Sequence, residues 1–527
     1  MIKKFLILLF ISSLTNACSL AQTPSQYANL IGEQSSKEHL TILSSREYEG
    51  RGTGQKGGEK TAQYIAEHFK TYGLQPVVNG SYFQPVALKQ ISYKVEGFSI
   101  GEQGLVNGKD FFASGDNDFQ QISADEIIFV GYGIQDEKYN EIQSIDIKDK
   151  VILLLNEGEP TDASGKSLLS RSMDQSEWSK NRFKRIQELL KHNPKMILAT
   201  GPQAQETIHL TNDRNLLGRV QLRTDTAPPK RSITSLPTVF ITEEVANSIL
   251  AKKNTSLAQF TSSANTKPLA PLTIALPVHG KMGILIEELN DPNVLGLVEG
   301  TDLKDEIVVV CGHYDHDGIL PDGTFFPGAD DNGSGTVAIL ELAKVFAKAK
   351  QDGKGPRRSM LFIGLAAEEK GLLGSKYYAE NPILPLEKTV ACINIDMIGR
   401  IDDKHLKGNH NYIHVIGANK LSSDLKPIVE NANKEIGMEL DYSYDRPNEP
   451  MRLYYRSDHY NFAKKGIPSL FFFSGLHPHY HTPEDTVDKI DFPMMVKREK
   501  LIFHTAWDIA TRDDRPKVDI REDIGTR

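Results

Sequence analysis

The sequence predicts an α/β protein: a three-layer, mainly parallel sheet interrupted by a β-rich insertion. Three observations carry this. From about residue 276 onward, strand-length apolar runs alternate with helical patterns: Ile307–Cys311, Met360–Leu365, Val390–Ile395, Tyr412–Ile416 and Ser469–Phe473, with a helix over Thr336–Ala347 between the first two. Those runs are continuously apolar rather than alternating, as strands buried on both faces require. Between about 95 and 275 the pattern changes to short β-rich runs such as Ile127–Gly133 and Val151–Leu155, separated by polar loops.

Taken in chain order, residues 1–21 come first as an export signal. Lys3 and Lys4 precede an apolar run from Phe5 to Leu14 that is too short to span a bilayer. Two processing routes fit. Leu14-Thr15-Asn16-Ala17-Cys18 resembles a lipoprotein site that would lipidate Cys18, and Ser19-Leu20-Ala21 suits ordinary signal peptidase. Either route exports the protein to the periplasm, the outer membrane or the medium. Residues 22–95 are read as mostly helical, broken at Gly50-Arg51-Gly52-Thr53-Gly54. There, Glu59–Tyr72 places Ala62, Ile65, Ala66 and Phe69 on one helix face, and Gly73 is a stop. In the insertion, 96–275, a helix over Trp178–Leu190 precedes a strand over Met196–Ala199. A Pro- and Thr-containing stretch at 264–272 marks its end. Residues 276–527 complete the main unit.

Composition narrows the function classes. The 527 residues carry a formal net charge of −8 with 25% charged residues. Phosphate binding needs concentrated Lys and Arg, so nucleic acid is not an expected partner. After Cys18 only Cys311 and Cys392 remain, both inside apolar runs, and they read as two buried thiols rather than a disulfide.

The chemistry sits at the strand ends. Ile307–Cys311 is followed by Gly312-His313-Tyr314-Asp315-His316, and then by Gly328-Ala329-Asp330-Asp331-Asn332-Gly333-Ser334-Gly335 opening a helix. Met360–Leu365 leads into Ala366-Ala367-Glu368-Glu369, Val390–Ile395 ends in Asp396, and Ser469–Phe473 leads to His479-Tyr480-His481-Thr482-Pro483. Open α/β sheets gather ligands at the carboxyl ends of their strands. Histidine and carboxylates converging there suit zinc or a similar divalent cation. Spacing alone leaves His477, His479 and His481 as rivals for one position. His316 reads as a pocket or surface residue, and Asp330 suits helix capping better than Asp331 does.

These motifs resemble peptidase family M28: Gly312-His313-Tyr314-Asp315, the segment 328–335, Ala-Ala-Glu-Glu-Lys-Gly at 366–371, Asn-Ile-Asp-Met-Ile-Gly at 394–399 and Tyr-His-Thr-Pro-Glu-Asp-Thr at 480–486. The block from Gly131-Tyr132-Gly133 to Leu236-Pro237-Thr238-Val239 is similar to the protease-associated domain inserted in such enzymes. The resemblance implies a secreted aminopeptidase with two zinc ions per chain, acting on peptides. Asp331 would bridge the ions, His313 and Asp396 would complete one, and Glu369 and His481 the other. Glu368 would be the general base, with its order relative to Glu369 resting on the resemblance alone. Asp315 would accept the second imidazole proton of His313, and the Asp331–Asn332 peptide would be cis. Tyr480 is a candidate hydrogen-bond donor to the developing oxyanion. The family also contains carboxypeptidases and dipeptidases, and Arg452 and Arg456 keep that reading open. Glutaminyl cyclases and non-catalytic relatives share the fold.

Overall fold

A computed structural model describes residues 24–210, 218–223, 236–265 and 267–520. The expected signal segment, with Cys18, lies outside the described residues. After a short helical turn at Pro24–Ala28 come helices α1 (Glu33–Leu43) and α2 (Lys56–Tyr72). A 3₁₀ turn at Arg46–Arg51 lies between them, where the glycine-rich break was expected. The apolar face of α2 (Ala62, Ile65, Ala66 and Phe69) is buried, and Gly73 ends the helix at φ 85°.

Strand β1 (Leu88–Ile100) then runs out of the main unit, and β8 (Val278–Leu289) returns antiparallel to it, paired from Leu88↔Leu289 to Ile100↔Val278. The boundary expected at 95/96 therefore falls within the first strand of one continuous ribbon, and that at 275/276 just before the second; the ribbon's root is at Leu88. Leu88 packs in the core of the main unit, whereas Phe98, Ile100, Val278 and Met282 pack in the core of the insertion.

The insertion holds strands β2 (Phe111–Ser114), β3 (Ile127–Phe129), β4 (Val151–Leu155), β5 (Met196–Thr200), β6 (Thr238–Ile241) and β7 (Leu272–Ile274), in the order β7-β3-β4-β5-β6-β2. Its four central strands are parallel. The single helix expected over Trp178–Leu190 is two, Glu177–Lys180 and Arg182–Leu190. Asn181 leaves the helical region (φ −114°, ψ 87°), and the buried guanidinium of Arg185 donates to the freed carbonyl of Trp178 at 2.8 Å.

The main sheet contains β9 (Pro292–Val298), β10 (Leu303–His313), β11 (Arg358–Leu365), β12 (Thr389–Ile395), β13 (Tyr412–Ile416), β14 (Glu439–Asp441) and β15 (Ser469–Phe473), ordered β9-β11-β10-β12-β15-β13-β14. Strands β11, β10, β12 and β15 are mutually parallel neighbours. Alternate residues of β10 feed opposite cores. Val308 and Val310 pack with helices α3 (Gly335–Gln351) and α4 (Phe492–Thr511), while Val309 and Cys311 pack with Tyr378 and Phe462. Burial on both faces is what the unbroken apolar runs encode. Cys311 and Cys392 are buried free thiols with sulfurs 3.6 Å apart.

Candidate metal centre

Four adjacent parallel strands end on one side of the sheet, and each delivers a side chain there. β10 ends in His313. The turn after β11 carries Glu368 and Glu369, the residue after β12 is Asp396, and the loop after β15 reaches Tyr480 and His481. Asp331 enters from the turn that opens α3. That turn is clamped by Asn332, whose side-chain oxygen accepts the N–H groups of Gly335 (2.9 Å) and Met397 (3.1 Å), while its amide donates to the Ile395 carbonyl. Asn332 thus does the capping expected of Asp330, which instead accepts from Ser334 and from the Gly399 N–H. A Cβ on Gly335 would sit 2.2 Å from Asn332 Oδ1, so only glycine fits. The Asp331–Asn332 peptide is cis.

The donor atoms fall into two groups that share Asp331. Around His313 Nε2 lie Asp396 Oδ1 at 3.4 Å, Asp331 Oδ1 at 3.6 Å and Glu368 Oε2 at 3.9 Å. Around His481 Nε2 lie Asp331 Oδ2 at 3.0 Å and Glu369 Oε2 at 3.3 Å. Of the three rival histidines it is His481 that reaches this centre. His477 is buried with Nε2 3.4 Å from Asp330, and His479 lies 3.2 Å from the Arg400 guanidinium.

Asp315 is placed differently from its expected role. His313 Nδ1 faces the backbone carbonyl of Asp315 at 3.1 Å, with the nearer carboxylate oxygen at 3.8 Å. The carboxylate accepts the N–H of Glu368 (3.0 Å), the N–H of Glu369 (3.4 Å) and the hydroxyl of Thr53 (3.0 Å). It therefore fixes the Glu368–Glu369 turn, where Ala367 has φ 54°, and the residue's own backbone carbonyl orients the imidazole.

Several contributors carried no motif. His316 is fully buried with Nδ1 3.0 Å from Glu369 Oε1, so it is no surface residue. Asp317 Oδ2 lies 3.3 Å from His481 Nδ1, and Ser457 donates to Asp396 Oδ2 at 2.7 Å. Arg51, noticed in the sequence only as part of a break, is fully buried. It donates to the carbonyls of Leu43, Tyr314, Pro327 and Gly328 at 2.6–3.0 Å, joining the N-terminal segment to both loops around the centre.

The electrostatics fit divalent cations. Burial raises the Asp331 carboxyl to about 6, with Glu369 adding to the shift. Burial likewise pushes Glu368 well above the carboxylate range despite His313. Burial disfavours a charged His481, yet Asp317, Asp331 and Glu369 hold its proton up to about 11. A buried cluster of carboxylates collects protons because its charges repel, and divalent cations relieve the same repulsion. Asp396 Oδ1, buried and without a hydrogen-bond partner, points into the His313 group. Carboxylate oxygens and imidazole nitrogens are the donors zinc takes. The adjoining pocket is walled by Met397, Leu453, Phe471, Phe473 and Leu476, with Tyr480 and Arg456 at its edge. Arg452 is instead set over the ring of Tyr455, 4.9 Å from its centroid.

Residues 293–506 match peptidase family M28. Over 244 residues the chain is 28% identical to Aminopeptidase YwaD of Bacillus subtilis (strain 168), covering 43% of this chain and 46% of that protein. It is 30% identical over 237 residues to a probable leucine aminopeptidase of Arthroderma benhamiae, covering 44% and 61%. The chain thus spans about half the length of the curated relatives it matches. Among solved structures, an aminopeptidase from Aneurinibacillus sp. strain AM-1 aligns over 95% of this chain and 99% of that one, with 19% identity and a TM-score of 0.49.

Proposed function

We propose, from the premise that residues 293–506 of this chain belong to peptidase family M28, that the protein is an exported, zinc-dependent aminopeptidase removing residues from free peptide N-termini. The observation that carries the reading is Asp331, which turns one oxygen to His313 and the other to His481. In this reading Asp331 would be shared by two zinc ions, one that His313 and Asp396 would hold and one that Glu369 and His481 would hold.

When bound, the ions supply Lewis acidity and an acidified water. The chain's own groups divide the remaining work. Glu368 lines the pocket beside His313 and Asp331, where it can take a proton from water and pass it to the departing amine. Glu369 faces away from it towards His316 and His481. Asp315 holds both backbone N–H groups, so the two glutamates keep separate directions. The Tyr480 hydroxyl, on the same pocket, is the donor for the oxyanion. The apolar wall receives the side chain of the residue removed.

Export follows from residues 1–21, with Cys18 either lipidated or removed with the signal. The ribbon-borne unit is read as a protease-associated domain. Arg456 on the pocket edge supports a second reading, in which a substrate carboxylate is recognised and the enzyme is a carboxypeptidase or dipeptidase. Matched peptides with free, acetylated or amidated ends decide between them. Cleavage abolished by N-terminal acetylation and spared by C-terminal amidation is expected. Loss on amidation alone marks a carboxypeptidase, and loss on either modification marks a dipeptidase.

A further inference from the structure

We propose that Asp402, His405 and His414 form another divalent-cation site, sharing no residue with the centre around Asp331 and suited by its donors to zinc. Asp402 and His405 lie in the loop after β12, and His414 lies in the middle of β13. The two oxygens of Asp402 face two imidazoles: Oδ1 is 2.6 Å from His405 Nδ1, and Oδ2 is 2.8 Å from His414 Nε2. These three donors converge closely enough to share one ion. Asp402 and His414 are buried, and His405 is largely so.

The surroundings are those of a ligating set. The other nitrogen of His414, Nδ1, lies 3.2 Å from Asp441 Oδ2 on the neighbouring strand β14. A carboxylate on the far nitrogen of an imidazole fixes its tautomer and orientation, as in carboxylate–histidine–zinc arrangements. The His405 ring is stacked on Tyr412, centroids 3.5 Å apart and planes 11° from parallel. Two imidazole nitrogens with one carboxylate favour zinc over calcium or magnesium, which take oxygen donors. Water can complete a tetrahedron.

The site is also placed to matter for the pocket. The Asp402 N–H donates to the Tyr412 hydroxyl, which donates to the Ser474 carbonyl at 2.5 Å. A Cβ on Gly475 would meet the Asp402 side chain at 2.4 Å. Asp402 therefore backs the turn leading from β15 to Leu476 and Tyr480, and a cation there would pin that turn from behind.

The test is the zinc content of the purified full-length protein after removal of loosely held metal, for the wild type, His405→Ala, His405→Gln and Asp331→Asn. His405→Gln retains volume in case the alanine variant does not fold, and circular dichroism identifies the folded variants. The proposal expects one zinc equivalent fewer per chain in a folded His405 variant, with that equivalent retained in Asp331→Asn. Equal zinc in the wild type and a folded His405 variant overturns it, leaving a metal-free imidazole–carboxylate network. Zinc unchanged in Asp331→Asn but reduced in the His405 variants would count against the peptidase centre while upholding this site.

Discussion

Asp331 Oδ2 lies 3.0 Å from Nε2 of His481, although 150 residues separate the two in the chain. The contact closes the centre, because the loop bearing His481 comes from β15 and the turn bearing Asp331 opens α3. Asp331→Asn keeps the shape but removes the charge two cations would share. The expected outcome is loss of zinc from this centre and a fall in kcat/KM of at least ~10³-fold, read by metal analysis alongside peptide hydrolysis.

Glu368→Gln separates proton transfer from metal binding. A general base at this position would contribute about 10²–10⁴-fold. Its glutamine variant should lose that much in kcat while retaining wild-type zinc. A variant that loses zinc in step with activity would make Glu368 a ligand, and one that keeps full activity would exchange its role with Glu369.

The strand-end chemistry was legible in the sequence because His313 and Asp396 stand at the ends of unbroken apolar runs, the other contributing residues lie in the segments that follow such runs, and the sheet brings the four run ends side by side. What was illegible depends on side chains reaching across the fold. The family resemblance assigned Asp315 to the His313 imidazole, but the chain turns after β10 so that its carbonyl meets the ring and its carboxylate meets the next strand's turn. Arg51 acts through carbonyls, which leave no mark in sequence, and the root of the ribbon at Leu88 and Leu289 is set by a pairing across 200 residues. The kink at Asn181 was masked by an apolar helical pattern that continues through it.

Arg51→Met tests the tie between the N-terminal segment and the centre. It strands several buried carbonyl acceptors, each worth about 1–3 kcal/mol when unsatisfied. We expect a stability loss of about 3–5 kcal/mol in denaturant unfolding and weaker zinc retention by the folded fraction. An unchanged midpoint would show that water replaces the guanidinium.

With its wall of Met397, Leu453, Phe471, Phe473 and Leu476, the pocket is expected to favour apolar first residues under the proposed function. Burying a leucine side chain in place of alanine should raise kcat/KM by about 10–100-fold, from roughly 0.8 kcal/mol per buried methylene. Leu453→Asp should erase that ratio. A wild-type enzyme that prefers acidic first residues would place the substrate side chain elsewhere.

In the insertion, Glu141 accepts the N–H groups of Tyr132 and Ile134, both at 3.0 Å, and burial raises its carboxyl to about 7 against an ordinary 4.5. A raised folded-state value means the proton is bound more tightly in the folded protein. The stabilisation is fully present below about pH 4.5 and is lost as pH rises through 7. The expected size is about 3 kcal/mol. Glu141→Gln should flatten this part of the pH profile of the unfolding temperature, whatever its effect on the absolute value. An equally steep profile in the variant would assign the dependence to another group.

A zinc aminopeptidase is recognised by release of the N-terminal residue from a peptide with a free amino end, followed before chelation, after chelator and dialysis, and after zinc is restored. Activity should be lost with the metal and regained with zinc, and should be absent at every stage when the amino end is acetylated. Cleavage that persists in protein verified free of zinc, or that proceeds equally on the acetylated peptide, would contradict a zinc aminopeptidase.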